Sequence, residues 1–144
     1  MAHQMQRLKT RAQFKAVLGG ELVAKSSHFA LHRLELGAVF TAIFPDLPAS
    51  LFTGDVVWLG AMVPKRCAKR AVTRNSIKRQ IYTVSPSLMP HFAQAAYLVR
   101  LRREFSRKDF PAACSVVLNK AVRTELLVLM QGATRLGPSQ TVAP

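Results

Sequence analysis

Seven cations fall within the fifteen residues from Lys65 to Arg79, namely Lys65, Arg66, Lys69, Arg70, Arg74, Lys78 and Arg79, and no acid interrupts them. Side chains of this kind bind phosphate. Arginine offers planar, paired donors and lysine a point charge. The densest part is Arg74-Asn75-Ser76-Ile77-Lys78-Arg79. On a helix turning 100° per residue, Ile77, Ile81 and Val84 fall within about 60° of one another and form a buried stripe. Arg74, Asn75, Lys78, Arg79 and Tyr82 occupy a neighbouring arc of about 140°. One face therefore anchors the helix while the next presents cations, an amide and an aromatic ring. Asn75 adds what charge alone lacks, a donor and acceptor that selects a register on a sugar or base edge.

The rest of the charge agrees with this. There are 21 Lys and Arg against 7 Asp and Glu, a formal net charge of +14 over 144 residues. A second group of five cations lies between Arg100 and Lys108, and five more lie in the first 25 residues. Concentrated positive field of one sign is the footprint of a polyanion partner. A hydrophobic content of 49% with only 19% charged residues excludes a disordered polar chain. Cys67 and Cys114 form no C-x-x-C pair, so a disulfide scaffold is excluded and a reducing compartment, the cytoplasm, is expected. The longest apolar stretches, near 38–44 and 56–63, are far below the roughly 18–20 residues of a membrane span. Arg7, Lys9, Arg11 and Lys15 break up any signal-peptide core. The stripe on the basic helix is narrow and β-branched, a core face rather than a lipid face, so no membrane partner is expected.

Chemistry carried by the protein alone is not expected. The acids are scattered singly, and neither H-E-x-x-H nor a glycine-rich phosphate loop occurs. His28 and His32 share a strand face but stand roughly 13 Å apart. No catalytic residue and no metal site is assigned. A DNA-binding helix-turn-helix would need two adjacent helices, and 53–63 reads as turn and strand instead, so no DNA partner is expected.

The elements that position these residues form one α/β domain over 7–131, with flexible tails at 1–6 and 132–144. Thr10 caps a helix over 10–18 that stops at Gly19 and Gly20. A brief strand is expected at 21–25 and a clearer one at 28–36, 38–44 offers a further candidate, and the continuous apolar run at 56–63 marks a central strand. After the basic connection at 64–70, a helix over 71–84 stops at Ser85 and Pro86. A strand at 96–102 and a helix over 111–131 complete the chain. The order α-β-β-β-α-β-α gives a two-layer sandwich, with a sheet of about four strands and three helices.

Gly60-Ala61-Met62-Val63-Pro64-Lys65-Arg66, Lys69-Arg70-Ala71 and Arg74-Asn75-x-x-Lys78-Arg79, in this order, resemble the signature of the bacterial ribonuclease P protein component. Leu8-Lys9 with Gln13-Phe14-x-x-Val17 and Gly20 resembles that family's first helix, and Ala96-Tyr97-Leu98-Val99-Arg100 its last strand. The resemblance covers roughly 7–131. It implies a left-handed βαβ crossover, against the general rule. It also implies an accessory subunit that binds ribonuclease P RNA and precursor tRNA, the RNA cleaving off the 5′ leader with Mg2+ that the RNA mainly holds. Lys65, Arg66, Lys69, Arg70, Arg74, Asn75, Lys78 and Arg79 match the RNA-facing loop and helix. Phe14, Leu18 and His32 fall at cleft positions that hold the single-stranded leader. Phe14 is there as a stacking surface or as a core residue, His32 keeps a stacking surface, and Leu18 does not. Ser76 stands where the family usually has Arg, and a serine hydroxyl can still bond a phosphate oxygen. The connection at 37–55 is longer than usual. The alternative is a basic ribosomal or RNA-chaperone protein with no processing role.

Overall fold

The computed structural model describes residues 5–36, 42, 45–47, 51–52, 57–88, 95–106, 108, 110 and 116–140, with side chains in the last helix to 132. The elements are β1 (Met5–Arg7), α1 (Arg11–Leu18), β2 (Glu21–Lys25), β3 (Phe29–Leu34), β4 (Val57–Met62), α2 (Ala71–Leu88), β5 (Ala96–Leu101) and α3 (Val116–Gln140). The strands form one five-stranded sheet in the order β1-β4-β5-β3-β2. β1 and β5 flank β4 in parallel, and β3 pairs antiparallel with both β5 and β2.

The fold class expected from the sequence is present, with one more strand. Met5 and Gln6 were expected in a loose tail and Arg7 in no strand; instead the three pair in register with Val57, Trp58 and Leu59. A three-residue strand is too short to show any period-2 signal. It exists because the outer edge of β4 supplies its ladder, which continues in the Leu8 N–H bond to the Leu59 carbonyl at 2.9 Å. The expected strand at 38–44 lies outside the described residues.

The α1 cap is more complete than expected. The Thr10 hydroxyl accepts from Gln13 N–H at 3.1 Å, while Gln13 Oε1 accepts from Thr10 N–H at 3.2 Å, a closed capping box. Gln13 Nε2 also reaches the Leu51 carbonyl at 2.8 Å, tying the helix to the connection before β4. Behind the helix, a Cβ on Gly20 would stand 2.4 Å from the Arg33 carbonyl oxygen, so only glycine lets the chain turn this close to β3.

Helix ends also differ from expectation. α2 runs through Pro86 to Leu88, and the Ser87 hydroxyl donates to the Val84 carbonyl at 2.8 Å in its last turn. Proline removes only one helical bond there, close to an end where carbonyls are orphaned anyway. α3 stays helical to Gln140, past the expected stop at 131. Gly132 costs about 1 kcal/mol in a helix, and the buried Leu126, Leu129 and Met130 hold the turns before it to the core.

The sheet is covered unequally. Against one face, α2 and α3 pack Ile77, Ile81, Leu118, Val122, Leu126 and Leu129 onto Phe29, Leu31, Leu59, Val99 and Leu101. Against the other, the eight-residue α1 packs Ala16 and Val17 with Leu8, onto Leu34, Trp58, Ala96 and Leu98. Phe52, with Leu47 and Leu51, adds to the cover on that face.

Candidate nucleic-acid interface

Two cavities flank the basic helix. The first is a groove of about 560 Å³ between α1 and the C-terminal end of β4, where pairing with β1 has ended. Phe14, Leu18, Ala61, Met62, Val63 and Pro64 give it apolar walls, and Arg66, Lys78 and Arg100 its charge. The second is a smaller basin of about 350 Å³ bounded by Arg7, Asn75, Lys78, Arg79, Tyr82 and Thr83. Lys78 belongs to both, and among the described residues no acid lines either one.

The eight residues expected to face RNA do not play one part. Lys65, Arg66, Lys69 and Arg70 are exposed on the connection into α2, and Asn75, Lys78 and Arg79 are exposed on the helix. Arg74 is half-buried. Its Nη1 donates to the carbonyls of Ala68 (3.1 Å) and Lys69 (2.8 Å), so it staples the basic connection to the helix start. Ser76 departs from expectation altogether. It is 8% exposed, and its hydroxyl donates to Asn119 Oδ1 of α3 at 2.8 Å. The residue preceding Ile77 shares the packed side of α2, which turns the hydroxyl to the neighbouring helix rather than to a phosphate.

Tyr82 anchors what the sequence placed on the open arc. Its hydroxyl accepts from the Ala61 N–H at 3.0 Å, and the Arg7 guanidinium lies 4.1 Å above its ring. The Arg7 contact was not foreseen. It depends on β1, which no sequence pattern announces, so the signal was missing rather than overlooked.

The three cleft candidates separate as well. Phe14 packs against the cluster of Leu8, Val17 and Leu98 and also forms part of the groove wall. Its ring fits because position 60 is glycine: a Cβ there would stand 2.9 Å from Phe14 Cε1 and 2.5 Å from Leu8 Cδ1. Leu18 is 38% exposed on the groove wall. His32 is buried in the middle of β3, and Arg100 of β5 donates through Nε to its Nε2 at 3.2 Å. Burial, and secondarily the charge of Arg100, lower the His32 pKa, which keeps the ring neutral. Arg100, not the imidazole, is the one on the groove wall.

A polar lock holds the far end of the sheet. The Glu125 carboxylate accepts from the Ser26 hydroxyl and the His28 N–H, each at 2.6 Å, and meets His28 Nδ1 at 2.7 Å. Arg102 Nη1 donates to the Ser26 (2.9 Å) and Ser27 (3.2 Å) carbonyls. The His28 ring stacks on Phe105 with centroids 4.0 Å apart. The lock fixes the β2–β3 turn against α3. Among the described residues no three His, Cys, Asp or Glu side chains cluster as metal ligands would, and no helix is long and apolar enough to cross a membrane.

Comparison with known proteins decides what this basic sandwich is. The family model described as Ribonuclease P matches residues 2–124. The chain belongs to the ribonuclease P protein family. The ribonuclease P protein component of Ralstonia pickettii is 33% identical over 129 residues, covering 90% of this chain and 79% of that protein. That of Trichormus variabilis is 34% identical over 98 residues, 65% of this chain and 70% of the relative. Two solved structures share the fold. The Staphylococcus aureus RNase P protein has a TM-score of 0.58 at 21% identity, covering 87% of this chain and 92% of its own. The Thermotoga maritima protein has a TM-score of 0.57 at 19% identity, covering 88% and 96%. This chain is accordingly the protein subunit of a ribonuclease P, a tRNA-processing ribonuclease, and the ribosomal or chaperone alternative is not favoured.

Proposed function

We propose that the chain works as the accessory subunit of a cytoplasmic ribonuclease P whose RNA does the cutting. The observation that carries this is the pair of cavities on either side of Lys78, one apolar-walled and one cationic, with no acid among the described residues that line them. The cationic side, with Arg7, Asn75, Arg79 and the connection carrying Lys65, Arg66, Lys69 and Arg70, suits the phosphates of a folded RNA subunit. The groove suits a single strand, the 5′ leader of precursor tRNA: Phe14 offers a stacking face and Arg66 and Lys78 lie where its phosphates pass. The Mg2+ that drives hydrolysis is held, in this reading, mainly by RNA, and the protein raises affinity for the precursor.

The test is reconstitution. The protein is mixed with a bacterial ribonuclease P RNA, and precursor tRNA cleavage is followed at low Mg2+, with leaders of one nucleotide and of groove-spanning length. The protein is expected to raise kcat/KM more for the long leader. Equal stimulation of both would refute leader binding; no stimulation of either would refute the subunit role. Cleavage by RNA-free protein would refute the assignment of chemistry to RNA.

A further inference from the structure

Arg100 is the penultimate residue of β5, the central strand, paired with Met62 on one side and Ala30 on the other. It is half-buried and lines the groove. Among the described residues its hydrogen bond goes to His32 through Nε, and no carboxylate pairs with it. An arginine in this setting is unusual. Its position is set by a ladder on both sides, its head is clamped by a buried imidazole, and among the described residues its charge has no carboxylate partner. Burying part of a cation without a partner is costly, and a bound acceptor would remove that cost.

With Nε engaged, the donors left to face the groove are the Nη1 and Nη2 groups, two parallel N–H vectors in one plane. They could meet two phosphate oxygens or two neighbouring acceptors on a base. The surroundings favour the base. Arg66 and Lys78, the other two cations of the groove, are exposed on a loop and a helix, where a phosphate stays hydrated. Arg100 instead shares the groove wall with Phe14, Leu18 and Met62, apolar surfaces that a base can pack on and a phosphate cannot.

We infer that Arg100 is a specificity-determining residue that reads, in the leader strand, one base presenting two adjacent hydrogen-bond acceptors. This rests on the proposed leader binding in the groove. Guanine offers such a pair in O6 and N7, and an unpaired cytosine in O2 and N3. Adenine sets a donor beside its acceptor, and uracil sets a donor between its two, so neither satisfies both N–H groups. His32 is a positioning residue that acts through Arg100: neutral, it accepts from Nε and leaves the outer donors in a fixed plane.

The experiment is internal competition among precursor tRNAs randomised over the leader. Cleavage is by holoenzyme assembled from the full chain and a bacterial ribonuclease P RNA, and by that RNA alone at high Mg2+. Wild-type holoenzyme is expected to favour guanine or cytosine over adenine and uracil at one position by about tenfold in kcat/KM, a preference the RNA alone lacks. Arg100→Lys, which keeps the charge but loses the paired donors, is expected to reduce it to less than about twofold. His32→Gln, whose carbonyl oxygen can still accept from Nε, is expected to preserve it, and His32→Leu to weaken it. The wild-type comparison needs no variant, so a misfolding substitution does not rescue the idea. If long leaders still stimulate cleavage but no position shows this preference, or adenine or uracil is preferred, or folded Arg100→Lys retains it, the Arg100 assignment is overturned and leader binding stands. If leader length makes no difference in wild type, leader binding itself fails and the assignment with it.

Discussion

Replacing Arg74 by alanine separates two jobs that charge counting merges. Arg74 makes two charge-assisted bonds to main-chain carbonyls, at 3.1 Å to Ala68 and 2.8 Å to Lys69. A hydrogen bond to a charged group contributes about 1.5–3 kcal/mol when dry. The Lys69 carbonyl is exposed, so water replaces the guanidinium there almost without loss, whereas the Ala68 bond belongs to a buried residue. A stability loss of about 1–2 kcal/mol follows. In a domain of this size that lowers Tm by roughly 3–6 °C. Affinity for the RNA subunit is expected to fall too, because Lys65, Arg66, Lys69 and Arg70 ride on the connection that Arg74 pins. The assay pairs a circular-dichroism melt with RNA binding over a salt series. A variant that melts with wild type would refute the staple. One that melts early but binds RNA with unchanged affinity would show that the order of the connection is irrelevant to RNA.

Other substitutions give contrasting outcomes. Arg79→Ala, on an exposed arc, is expected to change stability by no more than about 0.5 kcal/mol, yet to weaken RNA-subunit binding and shallow the log–log salt slope by roughly 0.7–0.9; binding titrations at several salt concentrations check it. Ile77→Ala opens a cavity at a side chain 1% exposed and is expected to cost about 2–5 kcal/mol in a denaturant melt, leaving the salt slope unchanged. Gly60→Ala pushes a methyl group into Leu8 and Phe14; it is expected to reduce long-leader stimulation of cleavage more than RNA-subunit affinity, and the reverse order would place Phe14 outside the leader path. His32 predicts a pH effect. Its folded pKa lies below the ordinary 6.5, so as pH falls through about 6.5 the unfolded chain takes up a proton that the folded chain refuses, and stability drops. His32→Gln is expected to remove that share of the acid destabilisation between pH 7.5 and 5.5, read from melts at both pH values.

The parts of this fold that were legible in the sequence are those carried by local signals. Thr10 before a helix, two glycines after it, the apolar run into Val63 and the Ile77 and Ile81 spacing each act through near neighbours, and each element formed where its signal lies. The exposed cations of α2 were legible for the same reason. What was not legible depends on partners distant in sequence. β1 exists only because β4 offers an edge. The turning of Ser76 to Asn119 and of Arg74 to its own connection is decided by tertiary packing, to which a helical wheel is blind. Arg100 had been counted as one of five cations in a basic cluster; only strand register sets it on the groove side, in front of His32. The Glu125 lock joins residues 97 and 99 positions apart, beyond the reach of any motif.

The strand order has a consequence for how this chain is born. In β1-β4-β5-β3-β2 the middle strand is the last one synthesised. Until residues 96–101 leave the ribosome, the β2–β3 hairpin and the β1–β4 pair share no ladder, and each presents an open inner edge. The nascent chain therefore holds two half-sheets that β5 must zip together in one event, antiparallel to the first and parallel to the second. Such late, non-local closure makes folding slow for the chain's size, and leaves sticky apolar edges exposed through most of translation.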